Sequence, residues 1–175
     1  QGPVTVTPAL ADRLAEKREE LFEEFGIRDE FPNEVLREAE ARTEDVYEEI
    51  EAEIDEREDL RDMTTWTTDP VDAQDFDDAI SIEREGDAYR LWVHIADVTH
   101  YVTPDTAMWD EAVKRANTVY LPDYTIHMLP PVLAETVCSL VPNEDRLAHT
   151  VEMEIDAETL SFEDIDIYKS VINSD

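Results

Sequence analysis

Ala79-Ile80-Ser81-Ile82-Glu83-Arg84-Glu85-Gly86-Asp87-Ala88-Tyr89-Arg90-Leu91-Trp92-Val93-His94-Ile95 is the stretch whose periodicity decides the fold class. Ile80 and Ile82 alternate with polar neighbours, Gly86-Asp87 can turn the chain, and Tyr89, Leu91, Val93 and Ile95 alternate again. Side chains two apart share one face of a strand, so this is a strand–turn–strand signal. Downstream, Val151, Met153 and Ile155 alternate as another strand, and Ile165 and Ile167 begin its partner. Upstream the period becomes helical. From Pro8 to Phe25 apolar residues fall at Leu10, Leu14, Leu21, Phe22 and Phe25, and Gly26 is a natural stop. Asn33 can cap a second helix after Pro32, with Val35, Leu36 and Ala39 as its stripe, resumed at Val46, Ile50 and Ile54. Thr103-Pro104 opens a further helix through Asn117, with Trp109, Ala112, Val113 and Ala116 on its buried side. A Pro-containing loop runs from Leu121 to Pro130, and Pro131 suits the first turn of a short helix carrying Val132, Leu133, Val137 and Leu140. Helices first, then mixed strands and helices, predict an α+β fold. The expected organisation is an N-terminal helical arm over residues 1–62, with residues 1–7 as a tail, and a mixed α/β unit over residues 63–175. The chain stops at Asp175 just after an apolar segment, as a truncated domain would.

The 175 residues carry 46 acids against 14 bases, a formal charge of −32. Phosphate affinity normally comes from Lys and Arg, so a generic basic nucleic-acid module is excluded. The hydrophobic fraction of 42% argues against a disordered chain. The acids are spread along the sequence rather than blocked into a tail, which favours a surface adapted to molar salt (halophilic) over an acidic face for a basic partner. In such a medium an anionic substrate remains accessible, because salt screens the repulsion. Cys138 is the only cysteine, so no intrachain disulfide forms and a reducing, cytoplasmic compartment is expected. No apolar run approaches membrane-spanning length, so no membrane partner is expected.

The chemistry concentrates just before the first strand. Thr67-Thr-Asp-Pro-Val-Asp-Ala-Gln-Asp-Phe-Asp-Asp-Ala-Ile80 holds Asp69, Asp72, Asp75, Asp77 and Asp78. Density alone decides nothing, since Glu48 to Asp59 has eight acids in twelve residues and reads as a solvated helix face. The difference is that all five are Asp, whose short side chain fixes the oxygen close to the backbone. They also adjoin apolar residues that open a strand, and no base lies among them. Crowded carboxylates raise one another's pKa unless a cation intervenes, and Mg²⁺ suits them: it prefers oxygen ligands, takes one or two carboxylates, and keeps water and phosphate. In a regular strand Asp77 and Asp78 would face opposite ways, so if both serve one site the backbone there is irregular. A solvated acidic loop that binds nothing is the rival at this point. An EF-hand is a poor match, with Ile80 where the bidentate Glu belongs. Cys138 reads as packing, and His94, His100, His127 and His149 show no metal-ligand spacing and read as structural or surface residues.

The run from Thr68 to Ile80 resembles the signature of the catalytic (RNB) domain of the ribonuclease II/ribonuclease R family. The similarity continues in order through Leu91-Trp-Val-His-Ile-Ala-Asp-Val-Thr-His-Tyr-Val102, Thr118-Val-Tyr-Leu-Pro122, Met128-Leu-Pro130, Cys138-Ser-Leu140 and Asp145-Arg-Leu-Ala148. Gly26 to Pro32 and Asp59 to Asp62 look like the family's lead-in. The resemblance implies Mg²⁺-dependent hydrolysis of single-stranded RNA from its 3′ end, releasing 5′-mononucleotides. By position it implies Asp69, Asp75, Asp77 and Asp78 as the metal site. Asp69 and Asp78 would ligate metal directly, and Asp75 and Asp77 would complete the site and position the attacking water. Asp72 is not one of the four. Tyr120 matches the tyrosine that stacks on the 3′-terminal base. Other RNA-processing proteins are further candidate partners. His127 stands where the family usually has proline. The family's active-site arginine and second base-clamping aromatic come from later segments, so the expectation is an incomplete catalytic domain, inactive alone. Within residues 1–175 a helical segment, rather than a cold-shock or other OB-fold domain, is expected before the aspartates. The alternative is a non-catalytic RNA- or protein-binding scaffold derived from such a domain.

Overall fold

The computed structural model describes residues 7–44, 46–70, 73–121 and 124–175. The architecture is α+β. A five-stranded sheet carries helices against one face, and a two-stranded ribbon stands beside it. Asp72, Pro122 and most of the expected tail lie outside the described residues.

Helix α1 (Pro8–Phe25) begins where Pro8 fits the first turn and ends where Gly26 adopts φ 63°. That left-handed conformation is cheap only for glycine, and it lets the Gly26 and Ile27 N–H groups close on Phe22 O. No residue of α1 is fully buried, but Leu14, Leu21 and Phe22 are half-buried and Arg18 lies over the Tyr124 ring, so the arm's apolar stripe is partly covered while Phe25 is exposed. Helices α2 (Asn33–Glu44) and α3 (Val46–Glu53) do bury their stripes, through Val35, Ala39 and Ile50. Strand β1 (Glu58–Asp59), in the stretch expected to be helical, pairs in parallel with the last strand of the sheet.

Strands β2 (Asp78–Glu85) and β3 (Ala88–Ala96) form the hairpin that alternation predicts, with Gly86 at φ 62° in its turn. Strands β6 (Asp145–Asp156) and β7 (Phe162–Asn173) continue the sheet antiparallel, giving the order β1-β7-β6-β3-β2. Ile165 and Ile167 lie in β7 as expected but are exposed. Between β3 and β6 come α4 (Val98–Tyr101), α5 (Ala107–Arg115) and the ribbon β4 (Val119–Tyr120) with β5 (Thr125–Ile126). The segment after Pro131 is a wide turn over Leu133–Val137, closed by Cys138 N–H on Leu133 O. The core gathers Val35, Ala39, Ile50, Met108, Leu133 and Val137 with Ala79, Ala96, Leu147 and Val171 of the sheet.

Helix α5 is shorter than its sequence suggests and turned differently. Thr106, not Thr103, caps it, its hydroxyl oxygen accepting from Trp109 N–H at 3.2 Å. Met108 and Glu111 are buried, whereas Trp109 and Val113 are exposed. The physical reason is a buried ion pair: Glu111 turns inward to meet Arg115 Nε at 3.0 Å and Arg28 at 3.3 Å, and this rotates the apolar Trp109–Val113 edge outward.

Polar groups in the sheet interior are satisfied as a chain. Thr65 and Ser81 hydroxyls meet at 2.7 Å, Ser81 reaches His94 Nε2 at 3.0 Å, His94 Nδ1 meets Thr150 at 2.8 Å, and Thr150 meets Ser170 at 2.6 Å. Buried hydroxyls are tolerated because each has a partner, and their chain ties β2, β3, β6 and β7 together. At the end of β3, buried Asp97 accepts from Arg57 at 2.8 Å and from the Thr99 hydroxyl at 2.8 Å. Burial alone would raise the Asp97 carboxyl, but these bonds and the His149 and Arg57 charges hold it below its usual value.

Candidate metal and RNA site

The aspartate stretch is an excursion from the sheet. Trp66 and Ile80 exchange both backbone hydrogen bonds, at 3.1 and 2.9 Å, and so pinch its base. Its far side is fastened at Phe76. The Phe76 N–H donates to Ser139 Oγ at 3.0 Å, Ser139 Oγ donates to Gln74 O at 2.9 Å, and Leu140 N–H donates to Phe76 O at 2.9 Å. Arg146, itself buried, donates to Ser139 O at 3.0 Å and Thr136 O at 2.9 Å and fixes that clamp. Phe76 packs on the core while Asp75 and Asp77, on either side of it, line a cavity. Ala96 N–H donates to Asp77 O at 2.9 Å, and β2 begins only at Asp78. The expected irregularity is therefore present: Asp77 stands just outside the strand and Asp78 is its first residue, yet both line the same cavity.

This cavity is open and about 570 Å³. Asp69, Asp75, Asp77, Asp78 and Tyr120 all line it, together with Gln74, Thr125, His127 and Glu135. Among the described residues no Lys, Arg or His lies within ion-pair distance of the four aspartates. The consequence appears at Asp77. Its carboxylate is open to solvent, but the surrounding protein deprives it of hydration. That desolvation, and then the charges of Asp75, Asp78 and Asp69, raise its pKa above the ordinary value.

Tyr120 is 69% exposed, not a core residue. Its hydroxyl donates to Asp75 Oδ2 at 3.4 Å, and its pKa is raised by burial of the hydroxyl and by the Asp75 and Asp77 charges. An adjoining cavity of about 330 Å³ shares Asp75, Asp77, Tyr120 and His127 and is otherwise largely apolar, with Ile95, Val98, Met128 and Leu129. The site thus pairs a bare anionic wall with an exposed ring and an apolar annex.

Oxygen-only donors of this kind suit a hard divalent cation. Among the described residues no three acidic, His or Cys side chains are gathered tightly enough to hold a metal ion by themselves. Mg²⁺ does not require that, since it binds through one or two carboxylates and keeps several waters. The four aspartates fit it as partial, water-completed ligands.

Three of the four histidines lie away from this cavity. His94 is in the buried hydroxyl chain, His100 sits between Glu49 and Glu53 at 3.6 and 3.9 Å, and His149 Nε2 lies 3.2 Å from Asp97. His127 is the exception, with Nε2 3.8 Å from Glu135 Oε1 on the cavity wall. Sequence reading missed its position, and that of Glu135 and Gln74. The one signal available was the histidine standing where proline is usual. Cys138 is buried and its thiol is pushed up to about 12 by burial and the charges of Asp77 and Asp97, so it packs rather than reacts. No described helix is long and apolar enough to cross a membrane.

The chain is 46% identical over 155 residues to ribonuclease R of Aquifex aeolicus, covering 88% of this chain and 21% of that protein. It is 49% identical over 146 residues to ribonuclease R of Thermotoga maritima, covering 83% of this chain and 20% of the relative. The chain therefore spans about a fifth of the length of these relatives. Among solved structures, Mycoplasma genitalium RNase R in complex with ribose methylated single-stranded RNA matches with a TM-score of 0.81 at 28% identity, over 94% of this chain and 25% of that one. The family description RNB domain matches residues 57–175, and the chain belongs to the RNB domain family.

Proposed function

We propose that this chain carries the metal-binding part of a Mg²⁺-dependent 3′→5′ exoribonuclease that hydrolyses single-stranded RNA to 5′-mononucleotides. The observation that carries the reading is the gathering of four aspartates, none with a cationic partner among the described residues, beside the exposed ring of Tyr120. Asp69 and Asp78 would hold the metal directly, and Asp75 and Asp77 would complete its shell through water. Bound there, Mg²⁺ would polarise the phosphate and ease deprotonation of the attacking water. Tyr120 offers its ring to the terminal base, and stacking of this kind is worth ~1–3 kcal/mol and ignores sequence. Its hydroxyl bond to Asp75 fixes the ring against the carboxylate wall. Asp77, beside the metal positions on the cavity wall, would accept a hydrogen bond from the attacking water and so orient it. The charge of −32 suits a salt-rich medium, and the single buried thiol suits a reducing cytoplasm.

The test uses 5′-labelled single-stranded RNA in molar KCl, with Mg²⁺ or EDTA, beside Asp77→Asn. The protein is this chain and a longer polypeptide carrying it. The expected result is stepwise shortening from the 3′ end by the longer polypeptide, abolished by EDTA and reduced about 10²-fold or more by the substitution. RNA left intact by the longer polypeptide with Mg²⁺ overturns the nuclease and leaves the binding scaffold. Cutting that survives Asp77→Asn unchanged overturns the assignment of the site.

A further inference from the structure

The aspartate cavity has a second polar wall, which the metal reading leaves unused. There His127 Nε2 stands 3.8 Å from Glu135 Oε1, and the two side chains are 21% and 28% exposed. That gap is wider than a direct N–H···O hydrogen bond of about 2.7–3.2 Å. It is close to the width of one hydroxyl. A hydroxyl that accepts from Nε2–H at about 2.9 Å and donates to Oε1 at about 2.7 Å, with the two bonds at roughly a right angle, spans about 4 Å. We propose that the His127–Glu135 pair receives a ribose hydroxyl of the 3′-terminal nucleotide, the imidazole donating to it and the carboxylate accepting from it. This rests on the nuclease reading of the same cavity.

The pair is held in place but not satisfied. The His127 carbonyl accepts from Arg115 at 3.1 Å, and the Met128 N–H donates to Thr118 Oγ1 at 3.1 Å. Glu135 belongs to the wide turn whose Leu133 and Val137 are buried, and the next carbonyl, that of Thr136, accepts from buried Arg146 at 2.9 Å. Apart from each other, the two side chains have no hydrogen-bond or ion-pair partner among the described residues. A carboxylate facing Nε2 favours the tautomer with the proton there. The result is one donor and one acceptor, fixed on either side of one gap in the cavity wall.

On the nuclease reading the terminal nucleotide offers three groups to this wall. Its base lies on Tyr120. Its 5′-phosphate lies at the aspartates, because cleavage leaves that phosphate on the released nucleotide. The 2′- and 3′-hydroxyls remain. Thr125 is directly opposite Tyr120 in the ribbon, and His127, two residues on, returns to the face they share. Diagonal neighbours of this kind are ~7–8 Å apart, so a sugar carried by a base on Tyr120 comes within reach of His127. Both residues line the aspartate cavity. Charge argues against a second phosphate in the gap, since it would meet the Glu135 carboxylate. A hydroxyl is neutral and is donor and acceptor at once, as the pair requires. Every ribonucleotide carries these hydroxyls, so the contact is as indifferent to base as stacking on Tyr120.

The experiment follows ¹⁵N-labelled protein by NMR with Mg²⁺ in molar KCl. Four nucleotides that offer no phosphodiester to cut are titrated: adenosine 5′-monophosphate and its 2′-deoxy, 3′-deoxy and 2′,3′-dideoxy forms. The ribose form is expected to shift the amides of His127, Met128 and Glu135 together with those of Asp75 to Asp78 and Tyr120. Loss of the hydroxyl that the pair holds should weaken binding about tenfold, and the single deoxy form that behaves like the dideoxy one identifies it. A buried site would discriminate more, but water replaces the missing hydroxyl at a half-exposed pair. His127→Phe and Glu135→Ala should each bring the ribose form down to the level of the deoxy form. His127→Gln, which keeps an N–H, should restore part of the difference. Amide spectra that otherwise overlay the native ones show that the variants are folded. Equal affinity for all four nucleotides, or a preference that survives both His127→Phe and Glu135→Ala, overturns the inference. Failure of the nuclease reading looks different: no nucleotide moves Asp75, Asp77 or Tyr120, with or without Mg²⁺.

Discussion

Asp77 is held where its charge is unwelcome, by desolvation and by Asp75, Asp78 and Asp69. A carboxyl with a raised folded-state pKa contributes a penalty above that pKa, which disappears as pH falls below the ordinary Asp range. Without divalent metal, Asp77→Asn should therefore raise Tm at neutral pH, and the gain should vanish on acidification. Mg²⁺ should reverse the ranking, stabilising the native chain by ~2.7 kcal/mol at a hundredfold excess over Kd and the variant by less. A thermal-shift series in EDTA and in Mg²⁺ checks both, and a lower Tm for the variant in EDTA would show that repulsion is not what governs the site. His94 gives the second residue-scale prediction. Fully buried between Ser81 and Thr150, it has its pKa pushed down to about 4 by burial. The unfolded chain binds the proton first, so this contribution is complete above pH ~6.5 and is lost as pH falls through 4, amounting to about 3 kcal/mol. Gln keeps a donor and an acceptor but cannot titrate. Urea unfolding across this range should show the native protein losing about that much more stability than His94→Gln, while equal slopes would mean that His94 is not buried neutral.

At the scale of elements, α5 shows what a pattern can and cannot reveal. Its existence was legible from Thr103 to Asn117, but its face was not, because Trp109–Val113 and Met108–Glu111–Arg115 are alternative stripes of one helix. What selects between them is Glu111 meeting Arg28, far away in sequence. The β2–β3 hairpin was legible in its strands and its turn, through Gly86 and strict alternation, but not in its buried face, since Ile82 and Ile95 are exposed while Ser81 and His94 are buried. The aspartates and Tyr120 were legible as a motif and do share a cavity. His127 and Glu135 reach that cavity through the β4–β5 ribbon and the wide turn at Leu133–Val137, and short elements of that kind have no periodicity to read. The end of α5 is also strained. Ala116 has φ 67° while its N–H donates to Ala112 O at 2.8 Å. A side chain costs about 1–2 kcal/mol in the left-handed region, and Gly removes that cost at some loss of unfolded-state restriction. Ala116→Gly should gain about 1 kcal/mol, a rise in Tm of roughly 2–4 °C. A loss of stability in denaturant melts would instead place the methyl group in a favourable contact.

The whole molecule carries −32, and that charge works against compactness. Its exposed ion pairs, such as Lys17–Glu20 at 2.5 Å, offset little, because surface pairs are worth ~0–1 kcal/mol and weaken in salt. The more consequential pairs are buried, Arg57–Asp97 and Arg115–Glu111, and salt barely reaches them. Two opposite effects therefore follow from added KCl. Attraction in exposed pairs is screened, and so is the repulsion among the acids, which outnumber the bases by 32. As the Debye length falls from ~10 Å at 0.1 M to ~3 Å at 1 M, the second effect must dominate. Relief of even a couple of kcal/mol corresponds to a Tm rise of about 5 °C for a chain of this size. The rise should saturate once screening is complete, and KCl and NaCl should act alike at equal ionic strength. An uncharged osmolyte matched in osmolality should not reproduce the steep early part of the curve. A Tm that is flat or falls with KCl would mean that the acids are compensated locally, and the adaptation to molar salt would then fail even if the aspartate site cuts RNA.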